Sequence, residues 1–465
     1  MTFFKNLIQS IMSGELKGQY FRSKDFGVLH KDINKAVESV MSKSGEVSSL
    51  VYAEHLSNLI EDLDDNQFID FFNTLLEKYD IDPNSLSKAS IEYSKNKTQK
   101  NLEIITQSSE PQWVELFRRL NTVSEGTLKL VKLRERIRSL EKDNPDLAFF
   151  DAALLNLFKH WFNPSFLVLK RMDWSTPASI LEKIIAYEAV HEINSWSDLR
   201  ARLEPEDRRC FAFFHPLIPN EPLIFVEVAL TDDMPKTIDQ VIKIDRSVTL
   251  DKDINTAVFY SISSCQDGLS GISFGNFLIK AVAHKLKQKN EGLEKFVTLS
   301  PAPDFTKWLK EKSIEKDLDE DSLLKQALIY LLSTDREDKF PNDPVARFHL
   351  GNGATLERVN LNSDLSSKGL HQSKGVMVNY LYDLDSLERN HELFFKSKTV
   401  QQSSGIKGLR KKFQINRNLN RNYLIGSDLN QIEKSQLMPL LRAKLAMLKM
   451  PYKLKPKKYL ILSTI

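Results

Sequence analysis

The chain of 465 residues lacks the features that would place it outside ordinary globular proteins. Its two cysteines, Cys210 and Cys265, are too few for a disulfide framework or a cysteine-based zinc site. Its apolar runs, such as 327–332, are far shorter than the roughly 20 residues that span a bilayer. The N-terminal residues show helical spacing without a secretory cleavage site, which favours an amphipathic surface or dimer helix. We therefore expect no membrane span and a reducing, cytoplasmic location.

The net charge is also small, but the charged residues are unevenly distributed. The net charge is +3, yet from Lys407 to the end there are 14 lysines and arginines against two acidic residues. We predict a separate basic extension over residues 413–465, most simply a solvated or partner-docking segment. With 41% hydrophobic residues, the rest of the chain has enough apolar material for two or three domains.

Residues 1–195 are predicted to form an all-α bundle that supports the rest of the chain and mediates homo-oligomer formation. Five segments carry apolar residues at spacings of three and four. These segments are 49–63, 66–79, 110–123, 152–162 and 177–193. His160 and His191 lie in this half, and we expect packed or surface histidines there, because no second ligand repeats at metal spacing.

After Trp196 the pattern becomes strand-like, so the predicted fold class is α+β, with a mixed sheet flanked by helices over residues 196–412. Segments 209–215 and 221–230 predict an antiparallel hairpin around Pro219. The charged stretch 311–343 predicts a solvated helical insertion. Segments 347–351, 354–361 and 375–382 predict further strands.

The stretch 256–303 predicts a strand, a glycine loop, a helix and a second, parallel strand. Gly268, Gly271 and Gly275 interrupt the first strand, and a helix beginning near Ser273 buries one apolar stripe. That stripe consists of Phe274, Leu278, Val282 and Leu286. A helix N-terminus behind a glycine loop binds phosphate well, but the spacing fits neither common phosphate motif, so a plain tight turn stays open.

Two polar residues follow predicted strands. Ser300 ends the strand after the loop helix, at the edge where open α/β sheets bind ligands. His349 precedes a glycine turn on another predicted strand. Without further information, a strand terminator and a buried, hydrogen-bonded histidine explain these two residues better than catalytic roles do. Cys265 beside the loop is better explained as a small buried apolar residue than as a catalytic thiol.

Several motifs in order resemble the malonyl-CoA decarboxylase family, over roughly residues 149–408. They are segments 161–193, 215–230, 256–303, 299–309, 346–360 and 373–382. The resemblance implies a helical N-terminal domain followed by a catalytic domain of the GNAT acyltransferase fold, whose glycine loop holds the CoA pyrophosphate. Segments 299–303 and 349–354 match the motifs of the family's catalytic serine and histidine, which implies catalytic roles for Ser300 and His349.

The resemblance also implies the substrate, malonyl-CoA, and the pocket. CoA contacts are expected at Ser270, Gly271, Ile272, Ser273, Phe274, Gly275 and Asn276. Ser261 and Tyr382 match the pocket lining, although Tyr382 would serve equally as a core aromatic. We expect Ser300 to hold the malonyl carboxylate or its proton and His349 to protonate the acetyl enolate. No metal or organic cofactor is expected, because the thioester itself delocalises the charge.

Two alternatives remain at the level of sequence. The same fold commonly transfers acyl groups from CoA to amines, and fold alone does not fix function. A binding module whose basic extension contacts nucleic acid or an acidic membrane is the other, although the few aromatics in the extension argue against nucleic acid. Animal members of the family end in the peroxisomal signal Ser-Lys-Leu, whereas this chain ends in Leu462-Ser463-Thr464-Ile465, so we expect no peroxisomal import by that route.

Overall fold

Helices form most of the chain as far as Trp161. The computed structural model describes residues 29–42, 46–314, 317–333 and 336–415, so the predicted N-terminal helix and nearly all of the basic extension lie outside the described residues. The helices of this region are α1 (Ile33–Met41), α2 (Glu46–Glu61), α3 (Asp65–Tyr79), α4 (Pro83–Lys95), α5 (Gln99–Ser108), α6 (Gln112–Leu120), α7 (Gly126–Leu140) and α8 (Leu147–Trp161). The predicted helices of this region are confirmed.

Local sequence explains where these helices begin, and aromatic packing explains why they associate. Asp64 and Gln67 form a reciprocal capping box at the start of α3. Asp82 caps α4, whose first residue is Pro83. The Phe150 ring of α8 lies at the centre of the aromatic core of this region. It contacts the rings of Phe72, Trp113 and Phe117, with centroids 4.6, 4.5 and 6.3 Å away.

The remaining residues build one mixed sheet of eight strands. The strands are β1 (Val168–Met172), β2 (Arg208–His215), β3 (Ile218–Thr231), β4 (Thr256–Ser264), β5 (Lys295–Thr298), β6 (Ser300–Pro301), β7 (Thr355–Asn360) and β8 (Met377–Leu381). Strands β1 to β5 follow one another across the sheet, and β8 then pairs with β5 and β6 on one side and with β7 on the other. The pairing of β4 with β5 is parallel, and the other pairs are antiparallel.

Helices cover both faces of the sheet, which confirms the α+β class. They are α9 (Ala178–Tyr187), α10 (Trp196–Leu203), α11 (Asp239–Ile242), α12 (Gly275–Lys289), α13 (Phe305–Glu311), α14 (Glu320–Leu332), α15 (Pro344–Gly351), α16 (Ser367–Ser373), α17 (Leu387–Ser397) and α18 (Ser404–Lys412). Helix α12 buries the predicted stripe and shares its core with the N-terminal helices, while α9 and α10 pack on the opposite face. Within the described residues, no helix is both long and apolar enough to cross a membrane.

Three sequence predictions are wrong in detail. Residues 168–172 form the edge strand β1 inside the segment predicted to be wholly helical. Residues 347–351 form the end of α15 instead of a strand, because Asp343 caps a helix whose first residue is Pro344. The stretch 311–343 is only partly solvated, since α14 buries its apolar half, Ala327–Leu332, against the core.

We predict that Phe150→Ala lowers the free energy of unfolding by about 3–5 kcal/mol, because it leaves a cavity among three aromatic rings. The neighbouring Phe149 is 61% exposed, whereas Phe150 is fully buried, so Phe149→Ala is a matched control with an expected change of about 0.5 kcal/mol or less. Urea midpoints of both variants and the unsubstituted protein measure the difference. Equal losses in the two variants would contradict this packing.

Candidate active site

The two parallel strands at the centre of the sheet separate after four residue pairs. β4 and β5 pair from Thr256 with Lys295 to Phe259 with Thr298, and one further hydrogen bond runs from the Leu299 N–H to the Phe259 carbonyl at 3.0 Å. β4 then continues to Ser264 along β3, without a partner strand on its other side. The separation leaves an opening in the sheet at the carboxyl ends of both strands. This is the edge where ligands bind in sheets with parallel strands.

The glycine loop lies between this opening and α12. Gly268 packs so closely on the helical region that a Cβ there would overlap the carbonyl oxygen of Val131. Gly271 has a φ of +90°, which L side chains rarely adopt. No side chain caps the start of α12. Several backbone N–H groups of the loop donate no hydrogen bond within the described residues, namely those of Gly271, Ser273, Phe274, Gly275 and Phe277. Such a group of N–H donors at a helix N-terminus is suited to binding an anion.

A chain of four buried polar side chains lies where β5 gives way to β6. The Ser300 hydroxyl donates to Thr298 Oγ1 at 3.0 Å and lies 3.0 Å from His349 Nε2. On the other side of the ring, His349 Nδ1 lies 2.8 Å from the Tyr382 hydroxyl oxygen. Ser300, His349 and Tyr382 are all buried. The structure therefore brings together the serine and histidine predicted to be catalytic and one of the two predicted lining residues.

These contacts determine which nitrogen of His349 carries the proton. Because the Ser300 proton points to Thr298, the Ser300 oxygen is free to accept, and we assign the proton to His349 Nε2. Nδ1 then accepts from the Tyr382 hydroxyl. Burial lowers the pKa of His349 to about 3 and raises that of Tyr382, so both groups are neutral near pH 7 in the free protein.

Helix α15 presents His349 to the strand, and buried contacts hold the helix in place. Asp343 Oδ1 accepts the Ala346 N–H at 2.6 Å as the N-cap, and its Oδ2 accepts the Tyr330 hydroxyl at 3.0 Å. Burial raises the pKa of Asp343 to about 6, so the capping carboxylate is charged at neutral pH. The Tyr380 ring of β8 stacks on the imidazole of His349, with centroids 4.7 Å apart. The imidazole ring of His349 is thus held both by its own helix and by the Tyr380 ring of β8.

The other predicted lining residue, Ser261, lies elsewhere. Its hydroxyl is 2.7 Å from both carboxylate oxygens of Glu188 and makes no hydrogen bond to Ser300 or His349 in the described structure. Ser261 pairs with Glu227, and Glu227 with Cys210, which packs beneath α9 and α10. Residues paired in this way share a face. Ser261 therefore faces away from the cluster that contains Tyr382.

Sequence reasoning missed several residues near the site. Thr298 accepts a hydrogen bond from the Ser300 hydroxyl, and it ends β5 two residues before Ser300 begins β6. Asn352 is buried beside Tyr382, close enough that its amide opposes the rise in the Tyr382 pKa, yet its side-chain nitrogen reaches no good hydrogen-bond geometry with another described residue. Asn352 follows His349 by three residues in a motif that was already identified, so the motif offered a signal for it. Arg134 contacts the glycine loop from the helical region, and no local sequence signal indicates that contact.

The remaining predictions for this region concern histidine, cysteine and the loop. Cys265 is a buried free thiol whose pKa is raised by burial, as expected of a structural cysteine. His191 is buried and His160 is exposed, with its ring bonded to its own helix. Ser270 to Phe274 lie in the loop, and α12 begins at Gly275, two residues after the predicted start near Ser273. The side chain of Asn276 lies outside what the structure describes.

The N–H groups that are free among the described residues and the buried, neutral histidine chain are features expected of an α+β enzyme that binds an anionic ligand. Residues 79–162 match the family model described as "Malonyl-CoA decarboxylase N-terminal domain". Residues 165–322 and 311–421 match "Malonyl-CoA decarboxylase C-terminal domain". The chain therefore belongs to the malonyl-CoA decarboxylase family, whose members are carboxy-lyases, and the predicted enzyme class is confirmed over the acyltransferase alternative.

Individual relatives agree with this assignment. The chain is 34% identical over 360 residues to the mitochondrial malonyl-CoA decarboxylases of Anser anser anser and Rattus norvegicus, covering 66% of this chain and 71% and 73% of those proteins. The crystal structure of malonyl-CoA decarboxylase from Rhodopseudomonas palustris is 42% identical, with a TM-score of 0.76 over 81% of this chain and 98% of that one. The enzyme from Agrobacterium vitis is 42% identical, with a TM-score of 0.77 over 82% and 99%.

We predict that His349 does not titrate between about pH 5 and pH 8 in the free protein, because its pKa is lowered to about 3 by burial. Side-chain nitrogen NMR of histidine-labelled protein measures this, and the signal missing from His349→Asn identifies the residue. The expected spectrum is that of a neutral ring protonated on Nε2. A titration midpoint near pH 6.5 would show that the imidazole of His349 is solvated. That result would contradict the burial of these hydrogen-bonded side chains.

Proposed function

We propose that Ser300, His349 and Tyr382 carry out the decarboxylation of malonyl-CoA to acetyl-CoA and CO₂, with the CoA phosphates bound at the glycine loop. The observation that supports this proposal most strongly is the buried hydrogen-bonded chain through both nitrogens of His349. It lies near the carboxyl end of β5, which pairs in parallel with the strand that leads into the loop. Binding and chemistry thus occupy neighbouring parts of the same opening.

The loop supplies the binding energy for CoA. Its free N–H groups lie at the positive end of α12, where an anion gains from both the hydrogen bonds and the helix dipole. The expected contacts run from Ser270 through Asn276, and most of them involve the backbone. Gly271 permits the tight turn of the loop, because residues with a side chain rarely adopt its φ of +90° and a Cβ there would crowd Leu155 of the helical region. The side chains of the loop therefore matter less than its shape.

The reaction needs stabilisation of an oxyanion and one proton. The bond between the carboxylate carbon and the methylene carbon breaks, CO₂ leaves, and the electron pair passes through the new C=C bond to the thioester oxygen. Donors directed at that oxygen stabilise the enolate, and we assign this role to the side-chain amide of Asn352, while the Ser300 hydroxyl holds the malonyl carboxylate. The enolate carbon then takes the proton from His349 Nε2, which gives acetyl-CoA.

The substrate itself prepares His349 for this role. In the free protein the ring is neutral and its pKa is low, because nothing in the buried chain balances a positive charge. A malonyl carboxylate placed beside Ser300 brings a negative charge within reach of the imidazole. A nearby opposite charge raises a histidine pKa, so the bound substrate favours the protonated ring. The second proton, taken up from water as the substrate binds, sits on Nδ1 and is donated in a hydrogen bond to the Tyr382 oxygen, so Nε2 can give up its proton to the enolate carbon and leave a neutral, oriented ring.

The cellular setting and assembly are a further part of the proposal. The two buried free thiols fit a reducing compartment, and we propose a cytoplasmic enzyme. We also propose that the helical region mediates homo-oligomer formation and that the basic extension after residue 413 lies outside the catalytic unit. The chemistry assigned above uses residues between 268 and 382 and requires neither feature.

We predict that the purified protein converts malonyl-CoA to acetyl-CoA and CO₂ without added metal, biotin, ATP or amine acceptor, because the thioester accepts the charge. Chromatography of the CoA products and CO₂ release measure the reaction. Treatment with EDTA should leave the rate unchanged. A loss of activity in EDTA that a divalent ion restores would contradict the cofactor-free mechanism, and a strict need for an amine acceptor would contradict the reaction itself.

A second kinetic prediction separates chemistry from binding. Ser300→Ala and His349→Ala should lower kcat by about 10²- to 10³-fold with KM nearly unchanged, because these side chains act on the transition state. The double variant should be little slower than the slower single one, since both residues act on one group. Gly271→Asp should mainly raise KM, because a side chain strains the turn at a φ of +90° and adds a negative charge to the loop that binds the phosphates.

Steady-state kinetics on these variants tests the assignment. His160→Ala is the matched control for the histidine, since His160 is exposed on α8 and bonds only to its own helix backbone. Tyr382→Phe keeps the ring and removes the hydroxyl from Nδ1, so it should lower kcat less than His349→Ala does. Near-normal turnover in His349→Ala would show that this histidine is a core residue and that the proton comes from elsewhere.

A further inference from the structure

An arginine of the helical region reaches into the glycine loop. Arg134 of α7 is almost completely buried. Its Nη1 donates to the carbonyl oxygens of Gly268 at 2.7 Å and of Ser270 at 2.8 Å. Its Nε and Nη2 donate to the two carboxylate oxygens of Asp151 on α8, at 2.9 and 3.3 Å. One guanidinium thus joins two helices of the N-terminal region to the loop.

The contact with Ser270 fixes the direction of the next N–H group. In a trans peptide, the carbonyl of one residue and the N–H of the next point in opposite directions. Because Arg134 holds the Ser270 carbonyl on the side of the helical region, the Gly271 N–H is directed to the other side. An anion site requires this arrangement, since a carbonyl turned toward a phosphate would repel it. The positive φ of Gly271 permits the turn.

Asp151 makes a buried cation tolerable and sets its orientation. Burying an unpaired guanidinium would be costly, and the two-pronged contact with Asp151 both neutralises the charge and holds the planar fork in place. With Nε and Nη2 bonded to Asp151, the N–H groups of Nη1 are directed at the loop carbonyls. A lysine has the charge but lacks this fixed geometry. The close approach of Gly268 to Val131 on the same helix fixes the distance between α7 and the loop.

We propose that Arg134 is a positioning residue that holds the glycine loop in the shape that binds the CoA phosphates, and thereby makes the helical region part of the substrate site. This inference rests on the proposed function, because it takes CoA as the ligand of the loop. The role is confined to binding: Arg134 touches the loop carbonyls and none of Ser300, His349 or Tyr382. Its effect should therefore appear in affinity and leave the chemical step intact.

The test uses Arg134→Lys in the full chain, with Arg136→Lys as the matched control. Arg136 lies on the same helix and also bonds a carboxylate and a carbonyl, those of Asp65 and Leu63, but it does not touch the loop. Arg134→Lys should raise KM for malonyl-CoA, and the Kd for CoA measured by calorimetry, by about ten- to a hundredfold, the effect of losing a charged hydrogen bond. Its kcat should stay within about threefold. Arg136→Lys should change neither constant.

A second variant guards against misfolding. Asp151→Asn keeps the arginine charge and removes the carboxylate that orients it, so it should raise the Kd for CoA, as Arg134→Lys does. Thermal unfolding of each variant checks that the protein is folded. Unchanged CoA affinity in a folded Arg134→Lys protein would overturn the proposal, and so would a loss of kcat without a change in KM. The CoA titration needs no turnover, so an inactive protein that binds CoA would contradict the proposed reaction and leave the role of Arg134 to be judged by its Kd.

Discussion

The unpaired N–H groups at the start of α12 are the feature on which the rest of the site depends. Donors of this kind are stable only where water or an anion reaches them. The sheet provides that access, because β4 continues beyond the end of β5 and leaves an opening beside the loop. The helical region contributes Arg134, whose guanidinium donates hydrogen bonds to the Gly268 and Ser270 carbonyls. In the proposed site, this contact keeps the Ser270 carbonyl from facing an incoming phosphate. The N-terminal helices are therefore more than a support for the catalytic region.

The reacting side chains come from different elements, and buried polar contacts align them. Ser300 is placed by the short pairing of β6 with β8, and Tyr382 directly follows β8, so these two share one scaffold. His349 comes from α15, which is fixed at its start by the buried Asp343 and along its length by Tyr380. Each contact is satisfied inside the protein, and a buried polar network of this kind is stable only when its members are paired. The Asn352 amide nitrogen and the Tyr380 hydroxyl are exceptions among the described residues, and the Asn352 amide beside Tyr382 fits a donor left available to the substrate.

The sequence predicted what local chemistry determines and failed where distant packing decides. The strand, glycine loop and helix at 256–289 follow from β-branched residues, glycine and a regular apolar stripe, and the structure confirms them. The strand prediction around His349 overlooked the helix-start signal of Asp343 followed by Pro344. β1 was missed because an edge strand of five residues between helices carries a weak pattern. The contact of Arg134 with Ser270 spans 136 residues and leaves no trace in local spacing.

The proposed mechanism makes the same burial serve both steps of the reaction. Ser300, His349 and Tyr382 are neutral in the free protein, so these three side chains offer no positive charge to a malonyl carboxylate as it enters the site. Protonation of His349 offsets only part of the cost of removing that carboxylate from water, and loss of CO₂ removes the rest by moving the charge onto the thioester oxygen. The CoA phosphates, bound at the loop, contribute the affinity that offsets this cost. Placing the binding energy at the loop and the destabilised group beside His349 therefore directs remote binding energy toward breaking the carbon–carbon bond.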